Sequence, residues 1–171
     1  RLEQGTFELG QNLFSGCTKL EEVSVQAVIK QMGSHMFSGC TALASVILGQ
    51  GVEAVGANMF DGCTSLEQAV FPEGIKVLAD YMFQGCSGMK QVVMPDTVTA
   101  VGKGAFAGCR GLTQVTFSAA TETIETLAFQ NCVGLKEVAV PESVKSFGIG
   151  AFSGCSGLSR ITVPFVGADR E

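Results

Sequence analysis

Phenylalanine returns at Phe14, Phe37, Phe60, Phe83, Phe106, Phe129 and Phe152, every spacing being 23 residues. All seven cysteines keep the same beat, at Cys17, Cys40, Cys63, Cys86, Cys109, Cys132 and Cys155. Six residues past each Phe stands a large aliphatic: Leu20, Leu43, Leu66, Met89, Leu112, Leu135 or Leu158. Nine past it comes Val23, Val46, Ala69, Val92, Val115, Val138 or Ile161, and eleven past it Val25, Leu48, Phe71, Met94, Phe117, Val140 or Val163. No insertion or deletion breaks the register. Self-similarity at a fixed period of this size marks a solenoid. Each unit is too small to bury its own apolar side, and stacking on its neighbours buries it.

Within a unit, the segment Leu-x-x-Val-x-Val ends in the apolar/polar alternation of a short half-buried strand. The strand-bearing segments are therefore expected at 20–25, 43–48, 66–71, 89–94, 112–117, 135–140 and 158–163. Pro72, Pro95, Pro141 and Pro164 follow several of them. Proline has no N–H for a ladder and marks the strand's end. A second apolar pair comes next, as in Val52-x-x-Val55-Gly56, Val98-x-x-Val101-Gly102 and Val144-x-x-Phe147-Gly148, where the glycine reads as a tight bend. Two residues past each Phe the residue is Gly, or Asn131 once, which predicts a left-handed backbone there. With parallel strands ~4.8 Å apart, the stack should be roughly 30–35 Å long.

Composition excludes several classes. The chain is 46% hydrophobic and 16% charged, enough to bury a large core. Its net charge of -5 argues against nucleic acid as a partner and against attachment to an anionic membrane. No apolar run approaches the ~18 residues of a transmembrane span, so no direct membrane insertion is expected. The start Arg1-Leu2-Glu3-Gln4 has neither a secretory signal pattern nor an initiator Met, as expected of a mature form or a fragment.

The residues capable of chemistry fall on the repeat. Zinc sites pair ligands two to four residues apart, whereas no two cysteines here are closer than 23. Disulfides between stacked rungs would need crossed side chains, while equivalent ones point the same way, and an odd number leaves one unpaired. The remaining reading is a comb of small apolar core residues. His35 is the only histidine. It stands in the column Asn12, His35, Asn58, Tyr81, Gly104, Leu127, Gly150, whose variety reads as a solvent-facing turn tolerant of any residue. Gly102-Lys103-Gly104 and Gly148-Ile149-Gly150 lack the strand and helix that a dinucleotide loop requires. Glu73, Asp96 and Glu142 each follow a proline, which is turn chemistry rather than a calcium ladder. No cofactor, metal, catalytic residue or small-molecule substrate is expected.

Two stretches carry a family resemblance. One is Leu66-x-x-Ala69-x-Phe71-Pro72-x-x-Ile75-x-x-Leu78-Ala79-x-x-Met82-Phe83-x-x-Cys86, and the other is Leu135-x-x-Val138-x-Val140-Pro141-x-x-Val144-x-x-Phe147-Gly148-x-x-Ala151-Phe152-x-x-Cys155. Both resemble the BspA-like class of leucine-rich repeats, and the likeness covers roughly residues 6–164. It implies an α/β solenoid: a right-handed leucine-rich-repeat superhelix with short parallel strands on the concave face and little regular helix. It further implies a non-enzymatic module that binds another protein, in adhesion or recognition, at a cell surface or after secretion. Thr121, Glu125 and Asn131 depart from the pattern, so the rung at 118–128 is expected to be looser. Residues 1–171 are expected to form a single domain of about seven rungs, part of a longer chain or assembly.

The partner would meet the outward strand positions, which alternate with the core ones. One outward column is Glu22, Ser45, Gln68, Gln91, Gln114, Glu137, Arg160, and the next is Ser24, Ile47, Val70, Val93, Thr116, Ala139, Thr162. The candidate contact residues are Ser45, Ile47, Gln68, Val70, Gln91, Val93, Gln114, Thr116 and Glu137. The apolar run Ile47-Val70-Val93 fits a partner surface and equally fits plain β-propensity. Neither Arg1 to Phe7 nor Pro164-Phe165-Val166-Gly167 looks like a full cap. This supports an alternative: an accessory or scaffold subunit of a larger complex, membrane-associated or not, intracellular or organellar, held through its ends and convex side.

Overall fold

The structure is a computed structural model, and it describes residues 7–25 and 29–164. The expected solenoid is what is observed, with two strands per turn rather than one. The first series lies inside the expected segments: β2 (Glu22–Ser24), β4 (Ser45–Ile47), β6 (Gln68–Val70), β8 (Gln91–Val93), β10 (Gln114–Thr116), β12 (Glu137–Ala139) and β14 (Arg160–Thr162). The second series is β1 (Phe7–Leu9), β3 (Ile29–Met32), β5 (Ala54–Val55), β7 (Val77–Leu78), β9 (Ala100–Val101), β11 (Thr123–Ile124) and β13 (Ser146–Phe147). These short pieces fall on the second apolar pair of each unit. From β5 onward they are two residues long, too few to show alternation in sequence. They become strands because stacking supplies a parallel partner one repeat away, as in Thr123↔Ala100 and Ile124↔Val101.

Helix content, expected to be small, is nil among the described residues. The Phe-x-x-Cys segment explains why. Its N–H groups alternate between a local turn and the next rung. Ser38 N–H donates to the His35 carbonyl (3.2 Å) and Cys40 N–H to that of Phe37 (3.1 Å), while Phe37 N–H reaches Met59 (2.9 Å) and Gly39 N–H reaches Asp61 (2.7 Å). A helix would claim all of these donors for itself. The geometry needs two left-handed residues per turn. The expected position, Gly in six rungs and Asn131 in one, has φ between 58° and 75°. The column containing His35 is the other, with φ between 55° and 64° throughout. That column is a turn, as expected. Side chains vary there, and the residues other than Gly104 and Gly150 occupy a backbone region that is costly for them. The expected solvent-facing character is corrected, since of the seven only Asn12 is exposed.

The core is a set of columns. The seven Phe rings stack with centroids 5.1–5.5 Å apart and planes within 11° of parallel. Beside them runs the cysteine column, and all seven thiols are free. Six are buried, while Cys17, in the first rung, is exposed, contrary to the reading of the whole comb as core. The thiols are also more than apolar filler. Each from Cys40 to Cys155 donates its S–H to the carbonyl of the Phe 26 residues earlier, at 3.1–3.2 Å. The glycine read as a bend has a packing role: a Cβ on Gly102 would stand 2.6 Å from the Leu78 carbonyl oxygen. In the rung at 118–128 the buried hydroxyls, including Thr121 among the departures from pattern, are satisfied by hydrogen bonds, while Glu125 and Asn131 are exposed. Buried Ser118 donates to the Asp96 carbonyl (2.9 Å) and buried Thr121 to that of Val98 (3.3 Å). The end pieces at residues 1–6 and 165–167 lie outside the described residues.

Candidate functional site

The outward columns assemble as the alternation requires. Strand registers set Ser45 beside Gln68, Ile47 beside Val70, Gln91 beside Gln114 and Val93 beside Thr116. Gln68, Gln91, Gln114, Thr116 and Glu137 are exposed, and Ser45 is half-buried. Ile47 and Val70 keep 53% of their surface and Val93 keeps 60%. Their neighbours Val46 and Val92 are buried at 1% and 3%. Glu137 pairs with Arg160 at 3.3 Å, both largely exposed, a contact worth about 0–1 kcal/mol.

The first series is not one continuous sheet. It divides into β2-β4-β6, β8-β10 and β12-β14. In the regular rungs the strand is closed by one further bond: Val25 N–H to Ile47 (2.9 Å), Leu48 to Val70 (3.4 Å), Met94 to Thr116 (3.0 Å) and Val140 to Thr162 (2.8 Å). Among the described residues the equivalent bond is missing at Phe71 and at Phe117. These are the two described rungs that carry phenylalanine in this column. Each ring turns edge-on to the stack, Phe71 against Phe83 and Phe117 against Phe129, at 5.7 Å. A ring is larger than the Val, Leu or Met of the other described rungs, and its bulk separates the strand from the next one.

At the first division a groove of about 380 Å³ opens, lined by Gln68, Ala69, Val70, Phe71, Glu73, Gln91, Val93, Met94, Pro95 and Asp96. It therefore brings together four of the candidate contact residues, Gln68, Val70, Gln91 and Val93. Sequence reasoning assigned Glu73 and Asp96 to turn chemistry and Phe71 and Met94 to the core. The signal that could have found the groove is Phe in place of an aliphatic at position 71.

Residues set aside as catalytic candidates take structural places. His35 is half-buried at φ 56° in its turn. Burial pushes the Cys63 and Cys109 thiols up to about 12, the reverse of what a nucleophilic thiolate needs. Among the described residues no group of three or more His, Cys, Asp or Glu side chains could hold a metal ion. No helix among them is long and apolar enough to cross a membrane.

The comparisons with known proteins agree with the architecture. The family described as BspA type Leucine rich repeat region (6 copies) matches residues 1–109 and 76–166. Comparison with curated proteins finds no match. Among solved structures, a T. pallidum leucine-rich repeat protein is 35% identical with a TM-score of 0.84, over 88% of this chain and 71% of that one. A leucine-rich repeat protein from Bacteroides ovatus is 28% identical with a TM-score of 0.86, over 92% of this chain and 41% of the other. The pneumococcal vaccine antigen PcpA shares the fold, at 22% identity and a TM-score of 0.56, over 92% of this chain and 54% of the other. Leucine-rich repeat proteins are generally non-enzymatic, and a protein-interaction or adhesion module is consistent with this likeness. With the family matched over nearly its whole length, the chain belongs to the BspA-type leucine-rich repeats.

Proposed function

We propose that this chain is a non-enzymatic protein-interaction module that binds its partner through the face formed by the first strand series. Ser45, Ile47, Gln68, Val70, Gln91, Val93, Gln114, Thr116 and Glu137 are its contact residues. The observation that carries this reading is the strip Ile47-Val70-Val93, with more than half of each side chain exposed and bordered by a column rich in Gln. A Gln carboxamide both donates and accepts, and the aliphatic strip supplies area whose burial is favourable. Cross-linking mass spectrometry on native material tests the face. Cross-links to the partner should concentrate at Lys90 and Lys136, which border β8 and β12, and the variant Val70→Glu plus Val93→Glu should fold yet lose the partner. Cross-links confined to Lys30, Lys76 and Lys145, beside the second strand series, would refute it.

The alternative is an accessory subunit of a larger complex, held through its ends and convex side. It draws on apolar surface near the two ends, with Ile149 85% exposed and a hollow of about 330 Å³ lined by Leu9, Phe14, Leu20, Val23 and Met32. Cross-links clustered on Lys19 and Lys145 would favour it.

A further inference from the structure

We infer that the groove between β6 and β8 takes an extended peptide segment in which aliphatic side chains alternate with Lys or Arg. This rests on the reading of the strand face as the contact surface, and it names the partner chemistry. Three features of the groove carry it. First, the strand ladder is interrupted there at Phe71, and a cleft opens between β6 and β8. Its volume of about 380 Å³ falls within the ~300–1,000 Å³ of ligand clefts. Second, Val70 and Val93 make part of its lining apolar, while the Gln91 carboxamide can meet a peptide group with both a donor and an acceptor. An extended strand offers that combination, with backbone polar groups at its edge and side chains on alternate faces. Third, the rim is acidic. Glu73 and Asp96 line the groove and are exposed. The ion pairs among the described residues are Lys30–Glu53, Lys145–Glu122 and Arg160–Glu137, so neither rim carboxylate is neutralised by one. A cation arriving with the peptide would complete the pairing, and the net charge of -5 would assist its approach. The second division, after Phe117, has Thr116 and Ala139 in place of the two valines.

The test uses fluorescein-labelled octapeptides and fluorescence polarisation on the whole chain. An alternating lysine–valine peptide should bind at least about tenfold more tightly than glutamate–valine or lysine–serine peptides of the same length. Glu73→Gln plus Asp96→Asn should weaken lysine–valine binding about tenfold and flatten its salt dependence. Val70→Ser plus Val93→Ser should weaken it comparably. Phe71→Leu should close the groove and weaken binding while the circular dichroism spectrum is unchanged, which separates loss of the site from loss of the fold. The inference is overturned if the three peptides bind alike, or if the charge-neutral double variant binds lysine–valine as the native chain does. It fails separately from the reading beneath it. No binding of any peptide, with the native partner still lost on Val70→Glu plus Val93→Glu, would discard the peptide and leave the face standing.

Discussion

Single residues in this fold are judged by their column. Leu127 occupies a left-handed position, at φ 59°, a region costly for a branched aliphatic residue. Asn, which stands in that column at Asn12 and Asn58, adopts the region more readily. Leu127→Asn should therefore stabilise the chain by about 1 kcal/mol, raising Tm by roughly 2–4 °C in calorimetry. An unchanged or lower Tm would count against the assignment of strain. The thiols give a second prediction. Cys17 should label within the mixing time of a thiol reagent at pH 8, and Cys63, Cys86 and Cys109 only on unfolding. Their burial also sets a pH dependence. An unfolded thiol loses its proton near ~8.5, whereas folded Cys63 and Cys109 hold theirs to about 12. The folded state thus binds more protons in between, and stability falls as pH rises from about 9 toward 12. The slope approaches an order of 1 kcal/mol per pH unit for each thiol. Urea titrations across that range should show the fall, and Cys63→Ala plus Cys109→Ala should make it shallower.

At the scale of the element, the interrupted ladder is a packing effect written in two residues. Replacing Phe117 by Leu, the residue at Leu48 in the same column, should let β10 and β12 pair. The amide of residue 117 should then gain protection in hydrogen exchange, because it acquires a carbonyl partner. Exchange as fast as in the native chain would mean that something other than ring bulk holds the strands apart. The bend glycine makes the complementary case. Gly102→Ala would set a methyl against the Leu78 carbonyl and should cost roughly 1–3 kcal/mol by overpacking, measurable as a lower urea midpoint.

Across the whole molecule, stability is close to a sum over neighbouring rungs. A central loss should therefore weigh more than a terminal one. Phe83 is fully buried, stacked between Phe60 and Phe106, and met edge-on by Phe71. Phe83→Ala should cost about 3–5 kcal/mol and broaden the urea transition, as the rungs on either side lose their coupling. Phe14 is 41% exposed and stacks on Phe37, and its replacement by Ala should cost only roughly 1 kcal/mol. Equal costs would argue against nearest-neighbour additivity.

The repeat by itself determined the architecture. A strict 23-residue period of Phe, Cys and aliphatic residues leaves stacking as the way to bury each unit, and the alternation in Leu-x-x-Val-x-Val dictates which strand positions face out. The outward residues Ile47, Gln68, Val70, Gln91 and Val93 were legible for that reason. Tertiary structure alone decided the rest. The second strand series has too few residues to carry a pattern and exists only because a neighbour supplies hydrogen-bond partners. The left-handed column of His35 hides behind varied side chains, because its requirement is on the backbone. The S–H bonds of the cysteines reach carbonyls 26 residues away, a distance no local reading spans. The groove at Phe71 arises from a ring that sequence periodicity counts as one more apolar residue. Periodicity records where side chains point, whereas volume and hydrogen-bond closure appear only once the rungs are stacked.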